Sequence, residues 1–427
     1  MPGENRLRRL RGLVLERSRR LREGETLPVA SVTNYNGIQL ASETFSRQVY
    51  SRELTNYKII EPGWYAFNPS RVDVGSLARN DLGFTVCASP MYTVFEMVSS
   101  EVHSEYFRSF LESRRFTERV GANLQGSVRN ALSFDALESF PINLPPFAEQ
   151  RSIADVLGAA EKAIRNTEAL IESIAGAKHA TMRELLTLGV RRANAPLKKL
   201  PKRWVLGRIA QGVSHVPADW DLVALSKVAK LESGHTPDRK KPNYWVGDIP
   251  WISLQDAEAL GGLTIGETAE TIGPEGLSNS SARLLPAGTV VLQRTANVGL
   301  ASVMEREMCT SQHFANWVCG PRIDPYYLQQ VFRHMSREWQ RLMSGSVLPD
   351  IYMNTFKVLQ ILLPPVEEQR EIGAIGAAFD RRIEAERGSL AALVQARDAL
   401  AQELLSGRLR LPANMIDRHR DPPEKAA

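Results

Sequence analysis

Two stretches of this 427-residue chain place apolar residues in alternating steps of four and three. The first runs through Ile153, Leu157, Ile164, Ile171, Ile174 and Leu185, with Ala160, Thr167, Lys178 and Thr181 at intervening positions. A sustained 3.5-residue period is the seam of a coiled coil, narrower than the apolar face of an ordinary surface helix. The second runs through Ile372, Phe379, Ile383, Leu390, Leu393, Leu400 and Leu404, less regularly, with Gly376, Glu386 and Arg397 interrupting it. Each stretch follows a proline pair, which suits a first helical turn, and sets a carboxylate (Glu149, Glu368) where it complements the positive helix end. No proline intervenes until Pro196 and Pro412. Forty or so residues at about 1.5 Å rise predict two rods of roughly 60 Å, each the natural packing partner of the other. Connectivity then demands an antiparallel pair with pseudo-twofold symmetry, the globular segments lying at opposite ends. If residues 168 and 387 face one another, Lys178 falls opposite Ala377 or its neighbours and Arg397 near Gly158 or Ala159, so that either long basic stems cover small residues or both charges point to solvent from a slightly rotated helix.

Outside the rods the pattern changes to short strand-like runs closed by glycine and polar loops. The phrases "EPGWYAFNPSRVDVGSL" at 61–77 and "LPAGTVVLQRTANVGLA" at 285–301 each lead an apolar run through a polar turn to a second glycine. The predicted class is α+β, with two mixed α/β domains in tandem. The halves echo one another: "LPPFAEQR" at 144–151 returns as "LPPVEEQR" at 363–370, 219 positions later. The same offset superposes Gly126, Ser127 and Val128 on Gly345, Ser346 and Val347, Ile142 on Ile361, and "ELL" at 184–186 on "ELL" at 403–405. A tandem duplication follows. The expected boundaries are a basic N-terminal arm (1–25), a first domain (26–145), a central helix (146–190), a linker (191–215), a second domain (216–364), a distal helix (365–410) and a charged tail (411–427).

Charge adds a mild basic balance, +5 with a pI near 9.1, that suits a polyanionic partner. It is densest in the first 25 residues, where eight arginines meet four glutamates. The three cysteines, Cys87, Cys309 and Cys319, form no disulfide framework and fit a reducing compartment. The spacing of Cys309, His313 and Cys319 matches no zinc pattern, so no metal is expected. No apolar run approaches 18 residues, so the expectation is a cytoplasmic protein without a membrane span.

The polar loops hold residue types that read base edges and phosphates: Asn34, Tyr35, Arg47, Arg52, Asn68 and Arg71 in the first domain, and His235, Thr236, Arg239, Lys240, Lys241, Tyr244, Gln293, Arg294, Asn297, Gln312 and His313 in the second. Arg and Lys suit guanine or phosphate oxygens, and Asn or Gln can pair bidentately with adenine. No GxxxxGK[ST] loop is present, so ATP hydrolysis is not expected. "LPPF" at 144–147 lacks the acid or amide of an adenine methyltransferase motif, and "DPPE" at 421–424 lacks the aromatic. No catalytic constellation stands out.

The paired "LPPFAEQR" and "LPPVEEQR" starts, the helix ends "RELLTLGV" and "QELLSGRLR", and the opening "VPADWDLVALSKVAKLESGHTP" together resemble the specificity subunits of type I restriction-modification systems, over residues 26–410. The resemblance implies two target-recognition domains joined by an antiparallel coiled coil and a non-catalytic role reading a bipartite double-stranded DNA target. It also implies two modification subunits that supply S-adenosylmethionine and methylate adenine. Restriction subunits, when present, would use ATP and Mg; this chain itself would hold no cofactor. Two rival readings are a self-contained DNA methyltransferase or nuclease, and a coiled-coil interaction scaffold that does not bind DNA.

Overall fold

The computed structural model describes residues 6–33, 37–44, 53–125, 131–190, 196–201, 213–343 and 349–419. The chain divides into two units, one formed by residues 1–166 and 390–427, the other by residues 167–389. A helix of 42 residues, Phe147–Leu188, and one of 41 residues, Val366–Ser406, each contribute one part to each unit. Both end at a glycine in the left-handed region, Gly189 and Gly407, each with φ +75°, where a side chain would be strained.

Unit 1 centres on a four-stranded antiparallel sheet, ordered Val14–Glu16, Thr93–Met97, Tyr65–Phe67, Leu77–Arg79. Tyr65, Phe67 and Phe95 pack against the helices Ser104–Leu111 and Arg114–Gln125 through Phe107, Phe110 and Phe116. Ile153 and Leu157 of the first long helix and Ala401 and Leu404 of the second join that core. Residues 6–25 are not a free arm. Strand Arg6–Arg9 pairs antiparallel with Pro141–Leu144, just ahead of the first long helix, and Leu10, Leu13, Val14 and Leu21 are buried.

Unit 2 holds a five-stranded sheet, ordered Ala229–Ser233, Phe314–Cys319, Val290–Gln293, Ala301–Met304, Thr264–Ile265. Strand alternation gives it two apolar faces. Val290, Leu292, Ala315 and Trp317 face the helix Pro325–His334, while Val291, Met304 and Phe314 pack on Ile252 and Leu260. A three-stranded sheet of Thr271–Ile272, Ile249–Ile252 and Cys309–Thr310 lies beside them.

Within each unit the long helices run antiparallel. In unit 1 Arg410 donates to both oxygens of Glu149, each at 2.5 Å, and Arg397 pairs with Glu161. In unit 2 Lys178 pairs with Asp380 at 2.5 Å, and Glu368 accepts from the Val190 backbone N–H (3.0 Å) and from Trp220 Nε1 (2.9 Å). The two seam cations, Lys178 and Arg397, meet carboxylates that were not foreseen, Asp380 three positions beyond Ala377 and Glu161 two or three beyond Ala159 and Gly158. These are one pair written twice, since 178 and 397, like 161 and 380, stand 219 apart. Of the expected seam, Ile153, Leu157, Ile164, Leu185, Ile372 and Leu404 are buried, and Ile171, Ile174, Phe379, Ile383, Leu390, Leu393 and Leu400 are half-buried. Full burial concentrates where the helices enter the domain cores.

The repeated octapeptide has a structural task. Gln150 Oε1 accepts from the His103 N–H, and its Nε2 donates to the carbonyls of Glu101 and Pro145, all at 2.9 Å. Gln369 repeats the clamp on the Asp324 N–H (2.9 Å) and the carbonyls of Arg322 (3.0 Å) and Pro364 (2.8 Å). Tyr106 donates to the Asn143 carbonyl (2.6 Å), as Tyr327 does to that of Leu362 (2.8 Å). Glu149 and Glu368 are buried acceptors rather than solvated first-turn charges. Gly189 is required twice over, because a Cβ there would lie 2.4 Å from Glu368 Oε1. Strand Leu197–Lys199, inside the expected linker, pairs with His215–Pro217. The first part of the tail is ordered too: Met415 accepts from Ser152 Oγ (3.2 Å), and His419 lies 2.7 Å from Asp155.

Candidate nucleic-acid interface

The sequence candidates separate into three groups. Asn34, Tyr35, Arg47 and Arg52 lie outside the described residues, as do the repeated Gly126–Val128 and Gly345–Val347. Asn68, Tyr244 and Gln293 are buried and serve the fold. Asn68 Oδ1 accepts from the Ser70 N–H (3.1 Å), closing a turn, and Gln293 Nε2 donates to the Thr295 carbonyl (2.9 Å) beneath the sheet surface. Asn68 and Gln293 are corrected from loop contacts to structural residues, and Tyr244 is buried except where its hydroxyl meets Lys241. Arg71, His235, Arg239, Lys240, Lys241, Asn297 and Gln312 are exposed, and Thr236, Arg294 and His313 are half-buried.

In unit 2 the structure brings three loops together. Gly234 lets the first approach the 310–311 backbone, since a Cβ there would lie 2.1 Å from the Ser311 carbonyl oxygen. The His235 N–H then donates to the Thr310 carbonyl (2.9 Å), and Thr236 Oγ1 reaches Gln312 Oε1 at 2.5 Å. From the loop after Val290–Gln293, Arg294 donates through Nε to the Gln312 carbonyl (3.1 Å) and through Nη1 to both Asp350 oxygens (2.7 and 2.9 Å). Thr295 Oγ1 shares Asp350 at 2.7 Å. Burial, then the Arg294 charge, lowers the His313 pKa and favours its neutral ring.

Charge is less available than the sequence implies. The Arg239 guanidinium lies 3.7 Å from the Trp245 ring centroid and 5.1 Å from that of Trp251, and it forks onto Glu270, one arm at 2.8 Å. Its hydrogen bond holds the Glu270 carboxyl below the usual carboxylate range. An arginine stacked on two indoles and neutralised by an acid braces its loop rather than offering a charge to phosphate. Lys241 donates to the Tyr244 hydroxyl (3.0 Å) yet stays exposed, and Lys240 has no side-chain partner among the described residues. In unit 1, Arg8 pairs with Glu101 (3.2 Å), Arg11 with Glu138 (3.6 Å), Arg17 with Glu96 (2.5 Å) and Arg19 with Glu61 (3.6 Å).

The sequence reading missed Asp350, Glu270, Trp245 and Trp251. The tryptophans carried a local signal, an aromatic pair within ten residues of the basic run. The acids carried none, being 56 and 31 positions from the arginines they neutralise. No group of three or more potential metal ligands occurs among the described residues, and no helix there is long and apolar enough to cross a membrane.

The fold has counterparts among known proteins. The model of the type I restriction modification DNA specificity domain matches residues 19–175 and 217–395, and the chain belongs to that family. It is similar to the MjaIX specificity subunit of a type I restriction enzyme of Methanocaldococcus jannaschii, 29% identical over 184 residues covering 43% of either chain. It is also similar to that organism's putative MjaX specificity subunit, 23% identical over 286 residues, 66% of this chain and 62% of the relative. The matches thus span less than two thirds of either relative. A solved structure from work on complex assembly and conformational transition of the type I R-M system shares the fold: TM-score 0.57, 19% identity, covering 96% of this chain and 99% of that one.

Proposed function

We propose that the chain is the non-catalytic DNA-reading subunit of a type I restriction-modification assembly, taking one half-site of a bipartite double-stranded target with each unit. The observation that carries this reading is the duplicated frame. The same glutamine clamp and tyrosine hook tie each long-helix start to a different strand-rich domain, as a reader of two unlike half-sites requires. The partners are two modification subunits, which bring S-adenosylmethionine and methylate adenine, and restriction subunits using ATP and Mg where the system has them. The setting is the cytoplasm, where such DNA lies.

The test is enrichment of a random duplex pool by the chain assembled with its modification subunit. Two short half-sites with a fixed gap are expected. Exchanging residues 216–364 for those of a relative should change one half-site and spare the other. Absence of any enriched sequence overturns the reading in favour of a scaffold, and binding of S-adenosylmethionine by the chain alone favours a self-contained enzyme.

A further inference from the structure

Gln312 is exposed, yet it is held at both ends. Its carbonyl accepts from Arg294 Nε at 3.1 Å, its Oε1 accepts from Thr236 Oγ1 at 2.5 Å, and its neighbour's carbonyl, His313 O, accepts from the Arg294 N–H at 3.0 Å. Ordering a long polar side chain on a surface opposes its rotamer entropy, and three separate loops are spent on it here. Arg294 cannot double as the reader. Its side chain is 15% exposed, and its charge is taken up by both Asp350 oxygens and the Ile351 carbonyl (3.0 Å). The loop bearing Arg294 is itself pinned: Ala296 adopts φ +65° while its N–H donates to the Pro349 carbonyl (2.9 Å), and the Ile351 N–H donates to the Arg294 carbonyl (3.0 Å). A non-glycine residue in the left-handed region persists only where its surroundings impose it.

We infer that Gln312 reads an adenine through the major groove in the half-site of unit 2, and that Arg294 with Asp350 is the bracket that positions it. The inference rests on the DNA-reading function proposed above. The chemistry follows from the amide. With one lone pair of Oε1 engaged by Thr236, the other can accept from adenine N6–H while Nε2–H donates to N7, the bidentate pattern that glutamine makes with adenine. Thr236 fixes the amide plane before DNA arrives, so none of that ordering is left for the encounter.

The experiment uses the chain assembled with its modification subunit and a random duplex pool. Gln312→Ala should reduce preference at one position of one half-site from roughly tenfold or more to about twofold, with every other position and the second half-site intact. Gln312→Glu should move that preference toward cytosine, whose N4 amine donates to a carboxylate. Replacing the bracket as a pair, Arg294→Met with Asp350→Leu, should blur the same position while leaving the salt dependence of binding unchanged, because neither side chain touches a phosphate. Unaltered preference in Gln312→Ala overturns the assignment. So does a bracket variant whose salt slope falls by about one while its preference is kept, since Arg294 would then bind a phosphate. If instead the unmodified assembly enriches no sequence, the DNA-reading function fails first, and the two failures are distinguishable.

Discussion

Unit 1 and unit 2 repeat one frame and differ in what the frame carries. Gln150 and Gln369 make the same three hydrogen bonds, and Glu149 and Glu368 are both buried acceptors. The strands that precede the long helices pair with Arg6–Arg9 in one case and with Asp221–Ala224 in the other, in matching register. Away from that frame the likeness weakens. Asp380 is gripped by Lys178, Arg333 (3.1 Å) and Gln330 (2.8 Å), whereas its counterpart Glu161 has Arg397 and a distant Arg165 at 4.0 Å. The lesson is that duplication preserved what joins a domain to its helix and released the rest.

That comparison is most exposed to failure at the paired carboxylates. Lys178 and Asp380 have side chains 16% and 13% exposed, against 26% and 29% for Arg397 and Glu161. Asp380→Ala leaves the half-buried Lys178 without a counter-charge and Arg333 with only the charge of Glu384, and should cost about 3 kcal/mol. Glu161→Ala, in a wetter setting, should cost about 1 kcal/mol. Urea unfolding of both variants measures the contrast, and equal losses would show that the duplicated pair has one role rather than two. Next in size are the clamps. Gln150→Ala and Gln369→Ala each strand one N–H and two carbonyls, so each should lose about 2–4 kcal/mol, alike in both units. A clamp variant that unfolds at the parent's urea midpoint would demote that octapeptide to a helix start.

The frame was legible in the sequence because duplication and heptad spacing are local, countable signals. Its mechanism was not. Gln150 and Gln369 act on backbone groups nearly fifty residues earlier, which no spacing displays. The partners of the seam cations were not foreseen, because an apolar period leaves open which carboxylate a seam cation will meet. The opening arginines read as an arm because charge outweighs the few apolar residues among them, yet Leu10 and Leu13 anchor that segment in the core. Among the loop candidates, exposure decided the outcome for Asn68 and Gln293, and exposure depends on the sheet beneath.

A third contrast is pH. His334 stacks on His179 at 4.7 Å in unit 2, while the positions of unit 1 that correspond when Tyr106 is set on Tyr327 and Arg397 on Lys178 hold Ser113 and Asp398. Burial, then the charges of His179, Arg183 and Lys178, push the His334 imidazole down to about 4. A histidine depressed below its ordinary 6.5 binds fewer protons folded than unfolded across that interval. Its contribution is therefore complete above pH 6.5 and is lost as pH falls through about 4. Discounted for partial exposure, the loss should be about 1–2 kcal/mol. Urea midpoints at pH 7 and pH 5 should separate the parent from His334→Gln, whose decline should be shallower. Parallel declines would remove the imidazole as the cause.

The smallest expected effect concerns where DNA charge is met. The arginines of the first strands look the more basic in sequence, but Arg8, Arg11 and Arg19 are each paired with a glutamate of their own unit. Such exposed pairs contribute about 0.5 kcal/mol or less apiece, and an acid already beside the guanidinium offsets its attraction to a phosphate. Lys240 and Lys241 are exposed and make no ion pair among the described residues, Asp238 being only the least of the influences on Lys241. Changing both lysines to alanine should lower the slope of log affinity against log salt by about 0.9 for each phosphate no longer neutralised, so by one to two in all. Changing Arg8, Arg11 and Arg19 together should leave that slope where it was and barely move the urea midpoint. Should the arginine set prove the steeper, the glutamates must release their partners when DNA binds, and unit 1 would be the unit that carries the phosphate contacts.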